Sequence, residues 1–119
     1  MKKNEDNPLL TKTMQFSVEI VKFSDELVKN HKMILANQIL KSGTSIGANA
    51  REAQNSESKT DFIHKLKISA KEIEETQYWL ELISKVYEQF DVTHMESLLD
   101  EVARIVNVII TTSKKSLKN

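Results

Sequence analysis

Only two glycines and one proline interrupt 119 residues. Those two residue types end helices and open tight turns, so a chain nearly without them is built from long helices and few turns. The apolar residues agree. Phe16, Ile20, Phe23 and Leu27 recur at steps of three and four, with Met14, Val21 and Val28 widening the stripe, which predicts a first helix over about 9–30. A second is predicted from near 31–34 to about 54, its core side carrying Ile34 or Leu35, Ile39, Ile46, Ala50 and Ala53. A third, over about 59–90, repeats Phe62, Leu66, Ser69, Ile73, Thr76, Leu80, Ile83, Tyr87 and Phe90 at alternating steps of four and three. That repeat is the pattern of helices crossing at a shallow left-handed angle. A fourth carries Met95, Leu98, Leu99, Val102, Ile105, Val106, Ile109 and Ile110. Four amphipathic helices with short polar connections predict an all-α, up-down-up-down, left-handed four-helix bundle, one domain over 1–119 with frayed tails at about 1–8 and 115–119.

Both glycines fall in one stretch, SGTSIGANAREAQ at 42–54. Ser, Gly, Thr and Asn are turn residues, and a loop is one reading. The preferred reading is a helix with a small-residue face, Gly43, Gly47 and Ala50. Each helical glycine costs about 1 kcal/mol against alanine, and close approach of another backbone is the usual compensation. Ser69 and Thr76 of the third helix are the expected opposite side.

Composition limits the function. There is no cysteine, so disulfides and thiolate zinc sites are excluded. No secretory h-region and no membrane-length apolar run is seen, and a cytoplasmic protein without membrane contact is expected. Lys plus Arg is 17 and Asp plus Glu is 17. A dedicated nucleic-acid binder is more often basic, although balance still permits a local patch. No Glu-x-x-His pair exists for a di-iron site, and the two Asp-x-x-His pairs, Asp61 with His64 and Asp91 with His94, belong to opposite ends of the bundle. No metal, no cofactor and no catalytic set is expected, hence no enzyme.

Three surface features remain. Ser45, Asn49, Arg51 and Glu52 on the second helix and Glu72, Glu75 and Glu81 on the third could form a polar network, or a partner site, between those helices. Lys41, Lys59, Lys65, Lys67 and Lys71, with Lys114, Lys115 and Lys118, are candidate phosphate contacts. Tyr78, Trp79, Leu82 and Val86 lie outside the third helix's core stripe and are the candidate interface with another copy.

The residues Ser42, TSIGAN at 44–49, REA at 51–53, Ser58, Lys59, DFIHKLKI at 61–68, Lys71, Glu72, Glu75, Thr76 and YWLEL at 78–82 carry a family likeness. They resemble the bacterial four-helix bundle proteins named after the 23S rRNA intervening sequences, also labelled S23 ribosomal proteins. The resemblance spans roughly residues 9–116. Ala50 stands where that family often has a larger aliphatic. It implies a left-handed up-and-down bundle, a homopentameric ring, and kinship with accessory proteins of diversity-generating retroelements, which associate with a reverse transcriptase and bind nucleic acid. The expected function is a non-enzymatic oligomeric scaffold or interaction module linked to RNA or a ribonucleoprotein. The alternative is direct nucleic-acid binding through the lysines of the second and third helices and the C-terminal tail.

Overall fold

The computed structural model describes residues 6–118 and contains four helices, α1 Pro8–Lys29, α2 Met33–Ala53, α3 Lys59–Val86 and α4 Thr93–Lys118. Each packs on its neighbours in the cycle α1–α2–α3–α4, and α4 closes it against α1. Neighbours are antiparallel. Ser42 of α2 meets Thr76 of α3, whereas Ile46 meets Ser69, so α2 rises as α3 descends. The bundle measures 51 × 25 × 21 Å.

Local chemistry sets the helix ends. The Asn7 side chain accepts the Leu9 and Leu10 amides at 3.0 and 3.4 Å, and Pro8, whose fixed φ suits a first turn, follows. Asn7 and Pro8 therefore cap and open α1 instead of belonging to a frayed tail, while 1–5 lie outside the described residues. At the other end His31 adopts φ 62°, and the Lys32 and His31 amides bond the Leu27 and Val28 carbonyls at 2.8 and 3.0 Å. This is a Schellman closure with histidine in the place glycine usually takes. Ser58 caps α3 by accepting the Asp61 amide at 3.0 Å.

Two further boundaries differ from expectation. α3 stops at Val86, and the chain turns there, which carries Phe90 and Val92 back under the bundle. Phe90 packs edge-on against Phe23 and Tyr87 with ring centroids 5.9 and 6.1 Å apart. The α3 periodicity extends through Phe90 because this turn also buries it. α4 continues through 115–118, where fraying was expected. Residue 119 lies outside the described residues.

The core holds Phe16, Ile20 and Leu27 of α1, Ile39 and Ile46 of α2, Leu66, Leu80 and Ile83 of α3, and Leu99, Val102 and Val106 of α4. Burying each such side chain stabilises the fold by about 1.5–3 kcal/mol. The apolar stripe of α1 is narrower than its spacing suggested. Met14, Val21 and Val28 are turned to solvent, as is Ile34 of α2, while Leu35 packs on the core.

Candidate functional site

The stretch 42–54 is helical, and α2 uses its two sides differently. Gly43 and Gly47 face α1. A Cβ at Gly43 would lie 2.8 Å from Ile20 Cγ2, and one at Gly47 would lie 3.1 Å from Thr13 Cβ. The glycines thus allow close approach of α1, not of α3 as expected. The α3 side is joined by hydroxyls. Thr76 Oγ1 donates to Ser42 Oγ at 2.9 Å, and Ser69 Oγ donates to the Ile46 carbonyl at 2.9 Å. Ser42, Ser69 and Thr76 are all fully buried. Across α1–α2, Ser24 Oγ donates to the Ala36 carbonyl at 3.1 Å. Thr13 and Ser24 escaped sequence reading, although both sit at core spacing beside Phe16, Ile20 and Phe23.

The charged network expected between α2 and α3 does not form. Arg51 and Glu52 are exposed, and among the described residues no ion pair joins the two helices. Arg51 lies on the α1 side, where it lines a groove with Leu10, Met14, Ser17, Thr44 and Ala48. Ser45 donates to the Lys41 carbonyl and Asn49 to the Ser45 carbonyl, both within α2. Glu72 is half-buried and Glu81 exposed, and the Glu75 carboxylate accepts the Trp79 indole N–H at 3.3 Å. Long charged side chains at the bundle edge keep their hydration, because holding two of them in register gains little at a surface. Small hydroxyls make the interhelical polar contacts instead.

The lysines, by contrast, are brought together. Antiparallel packing places the start of α3 beside the end of α4, which brings Lys59 and Lys67 to the C-terminal lysines. Lys67 and Lys114 line one cleft with Thr60, Ile63, His64 and Leu117. Lys59 Nζ donates to Ser116 Oγ. Lys71 and Lys115 are exposed, Lys65 is half-buried, and Lys118 ends α4. Lys41 stands apart, halfway along α2 at the level of Thr76. The opposite end of the bundle carries Glu81, Glu88, Asp91, Glu96 and Asp100. Zero net charge is therefore the sum of a basic end and an acidic end. Among the described residues no group of three His, Asp or Glu is placed to hold a metal ion.

Apolar side chains stay open on α1 and α3, as do Met33 and Ile34 at the start of α2 and Val108 and Leu117 on α4. On α3, Tyr78 is 60% and Val86 57% exposed, with Leu82 half-buried between them. Trp79 is half-buried against the core and stacks edge-on to Tyr78 at 5.2 Å. On α1, Met14, Val18, Val21 and Val28 are between 41% and 48% exposed and form a stripe beside the Arg51 groove. This second face was legible as surplus apolar residues on α1, but their three-four spacing read as core.

The fold and these faces define an antiparallel four-helix bundle whose distinctive features are surfaces: one basic end, one acidic end and open apolar flanks. The chain belongs to the 23S rRNA-intervening sequence protein family, whose model matches residues 5–111. It is also similar to a crystal structure of a protein of unknown function from the S23 ribosomal protein family of Bacteroides thetaiotaomicron VPI-5482. The two share 40% identity and superpose with a TM-score of 0.79, over 86% of this chain and 97% of that one. No curated protein matches the chain. No helix among the described residues is long and apolar enough to cross a membrane.

Proposed function

We propose that this protein is a non-enzymatic, oligomeric interaction module that works with RNA or a ribonucleoprotein in the cytoplasm. The open apolar flank of α3 carries the reading. Tyr78 and Val86 stand more than half exposed beside Leu82 on a helix whose other side is fully packed. Aromatic residues with a polar tip suit an interface that is dry at its centre and wet at its rim. A homopentamer of left-handed bundles is the assembly this reading takes from the family, and kinship with retroelement accessory proteins belongs to the same reading.

A second reading, direct nucleic-acid binding, is favoured by the charge separation. Lys59, Lys67, Lys114 and Lys115 share one end of the bundle, with Lys71 a turn beyond Lys67 toward the middle of α3, and a ring would set several such ends on one rim. Repetition converts a modest patch into a multivalent one. Both readings are tested by passing the full chain, with and without a structured rRNA fragment at low salt, through size exclusion with light scattering. An oligomer that co-elutes with RNA supports nucleic-acid association. An oligomer that ignores RNA leaves a protein scaffold, and a monomer that ignores RNA removes both.

A further inference from the structure

The cleft between the start of α3 and the end of α4 offers a space of about 300 Å³ lined by Thr60, Ile63, His64, Lys67, Lys114 and Leu117. We propose that it seats one unpaired nucleotide of a single-stranded nucleic acid, its phosphate between Lys67 and Lys114 and its sugar or base on Ile63 and Leu117. The inference rests on the direct nucleic-acid reading above, and names the site and the form of the ligand.

Charge calls for an anion here. Two lysines from different helices line one cleft, and no carboxylate lines it with them. A concave site lined by one sign of charge focuses its field and concentrates the opposite ion. The N-terminus of α3 and the C-terminus of α4 meet at this end with opposed dipoles, so side chains set the field. The Thr60 hydroxyl and the His64 imidazole supply hydrogen-bond donors for phosphate oxygens.

The cationic surface continues past the cleft. Thr60, His64, Lys67 and Lys71 are all exposed and follow one another on α3 at steps of four, three and four, the spacing of a single helix face. α3 carries no acid over 62–71, and α4 carries none over 102–118. From Thr60 to Lys71 the helix rises roughly 16 Å, enough to follow a short run of strand backbone.

The apolar wall selects the form of the ligand. Leu117 is 50% exposed beside lysines, and it lines the cleft with the buried Ile63. A duplex keeps its base faces stacked inside and would meet this wall with its charged backbone. An unpaired nucleotide has a free base face to lay on it, as strands do on apolar platforms in basic grooves. Inorganic phosphate would use the lysines and leave the wall bare.

The test is fluorescence anisotropy of the full chain with a short labelled RNA strand, and with the same strand annealed to its complement. The single strand should bind at least about tenfold tighter than the duplex. Lys67→Gln with Lys114→Gln should weaken it about tenfold and flatten the salt slope by about 1.4, at about 0.7 per lysine. Leu117→Ser should weaken it several-fold without changing that slope, which loss of a charge contact could not do. Lys29→Gln with Lys85→Gln removes the same charge at the far end, beyond the reach of screened interactions, and should change little. All five side chains are exposed, so the fold tolerates each change. Equal or tighter binding of the duplex would overturn the proposal, as would inorganic phosphate displacing the strand at matched ionic strength. Strand binding that neither the cleft lysines nor Leu117 affect would place the contact elsewhere and overturn it too. No binding of either RNA at low salt would remove the direct-binding reading itself.

Discussion

A methyl group at residue 43 has no room. Its nearest neighbour would be Ile20 Cγ2 at 2.8 Å, and Ile20 is β-branched and fully buried, so it cannot swing aside. Gly43→Ala gains about 1 kcal/mol of helix propensity but overpacks at a cost of about 1–3 kcal/mol. We expect net destabilisation by denaturant melt, and less at Gly47→Ala, where Thr13 has only to yield by a few tenths of an ångström. Unchanged stability at Gly43→Ala would mean that α1 is set farther away. His31 gives the opposite expectation. Its left-handed φ of 62° is strained for any residue with a Cβ, so His31→Gly should raise stability by up to about 1 kcal/mol. Asp91 adds a pH dependence. Hydrogen bonds from Thr93 hold its carboxyl below the ordinary 3.8. Its folded value lies below its unfolded value, so its contribution is present above about pH 3.8 and lost as pH falls through the lowered value. Asp91→Ala should therefore lose stability at neutral pH, and its deficit against the unsubstituted protein should shrink in acid.

Among the elements, α2 decides which helices meet and how. Its glycine side admits α1, and its hydroxyl-bonded side holds α3. The small residues of this stretch and its helical state were legible because apolar positions continue through it, but the partner of the glycines was not. Ser69 and Thr76 looked like a small face made for glycine, yet their hydroxyls were already committed to Ile46 and Ser42, one position away on the helix wheel. Ser69→Ala should cost about 1 kcal/mol through loss of that bond, while the Ile46 carbonyl keeps its bond within α2. The end of α3 misled for a related reason, since Phe90 is buried from a turn rather than from a helix. The lysines were legible as residues, and only antiparallel packing reveals that Lys59 and Lys67 of α3 lie beside the end of α4 with Lys114. The open flanks make a separate prediction. Val86→Glu and Tyr78→Lys should leave the melting temperature nearly unchanged, because both side chains are more than half exposed, while lowering the assembled mass. A large loss of stability in the isolated chain would assign these residues to the core instead.

For the whole molecule, segregation of charge matters more than its sum. A basic end opposed by an acidic end orients the protein toward a polyanion even at zero net charge. Lys67→Glu with Lys71→Glu should weaken binding to a structured RNA and flatten its salt dependence, since removing one lysine–phosphate pair reduces the slope by up to about one unit. The central claim is that the bundle is a subunit of a larger assembly in which the α3 flank is covered by another copy. It is tested most directly by the solution mass as a function of concentration, from light scattering or sedimentation. The account predicts a discrete multiple of the 13.7 kDa chain, fivefold in the pentameric reading, that persists on dilution to micromolar protein. A mass of 13.7 kDa at every concentration would contradict it.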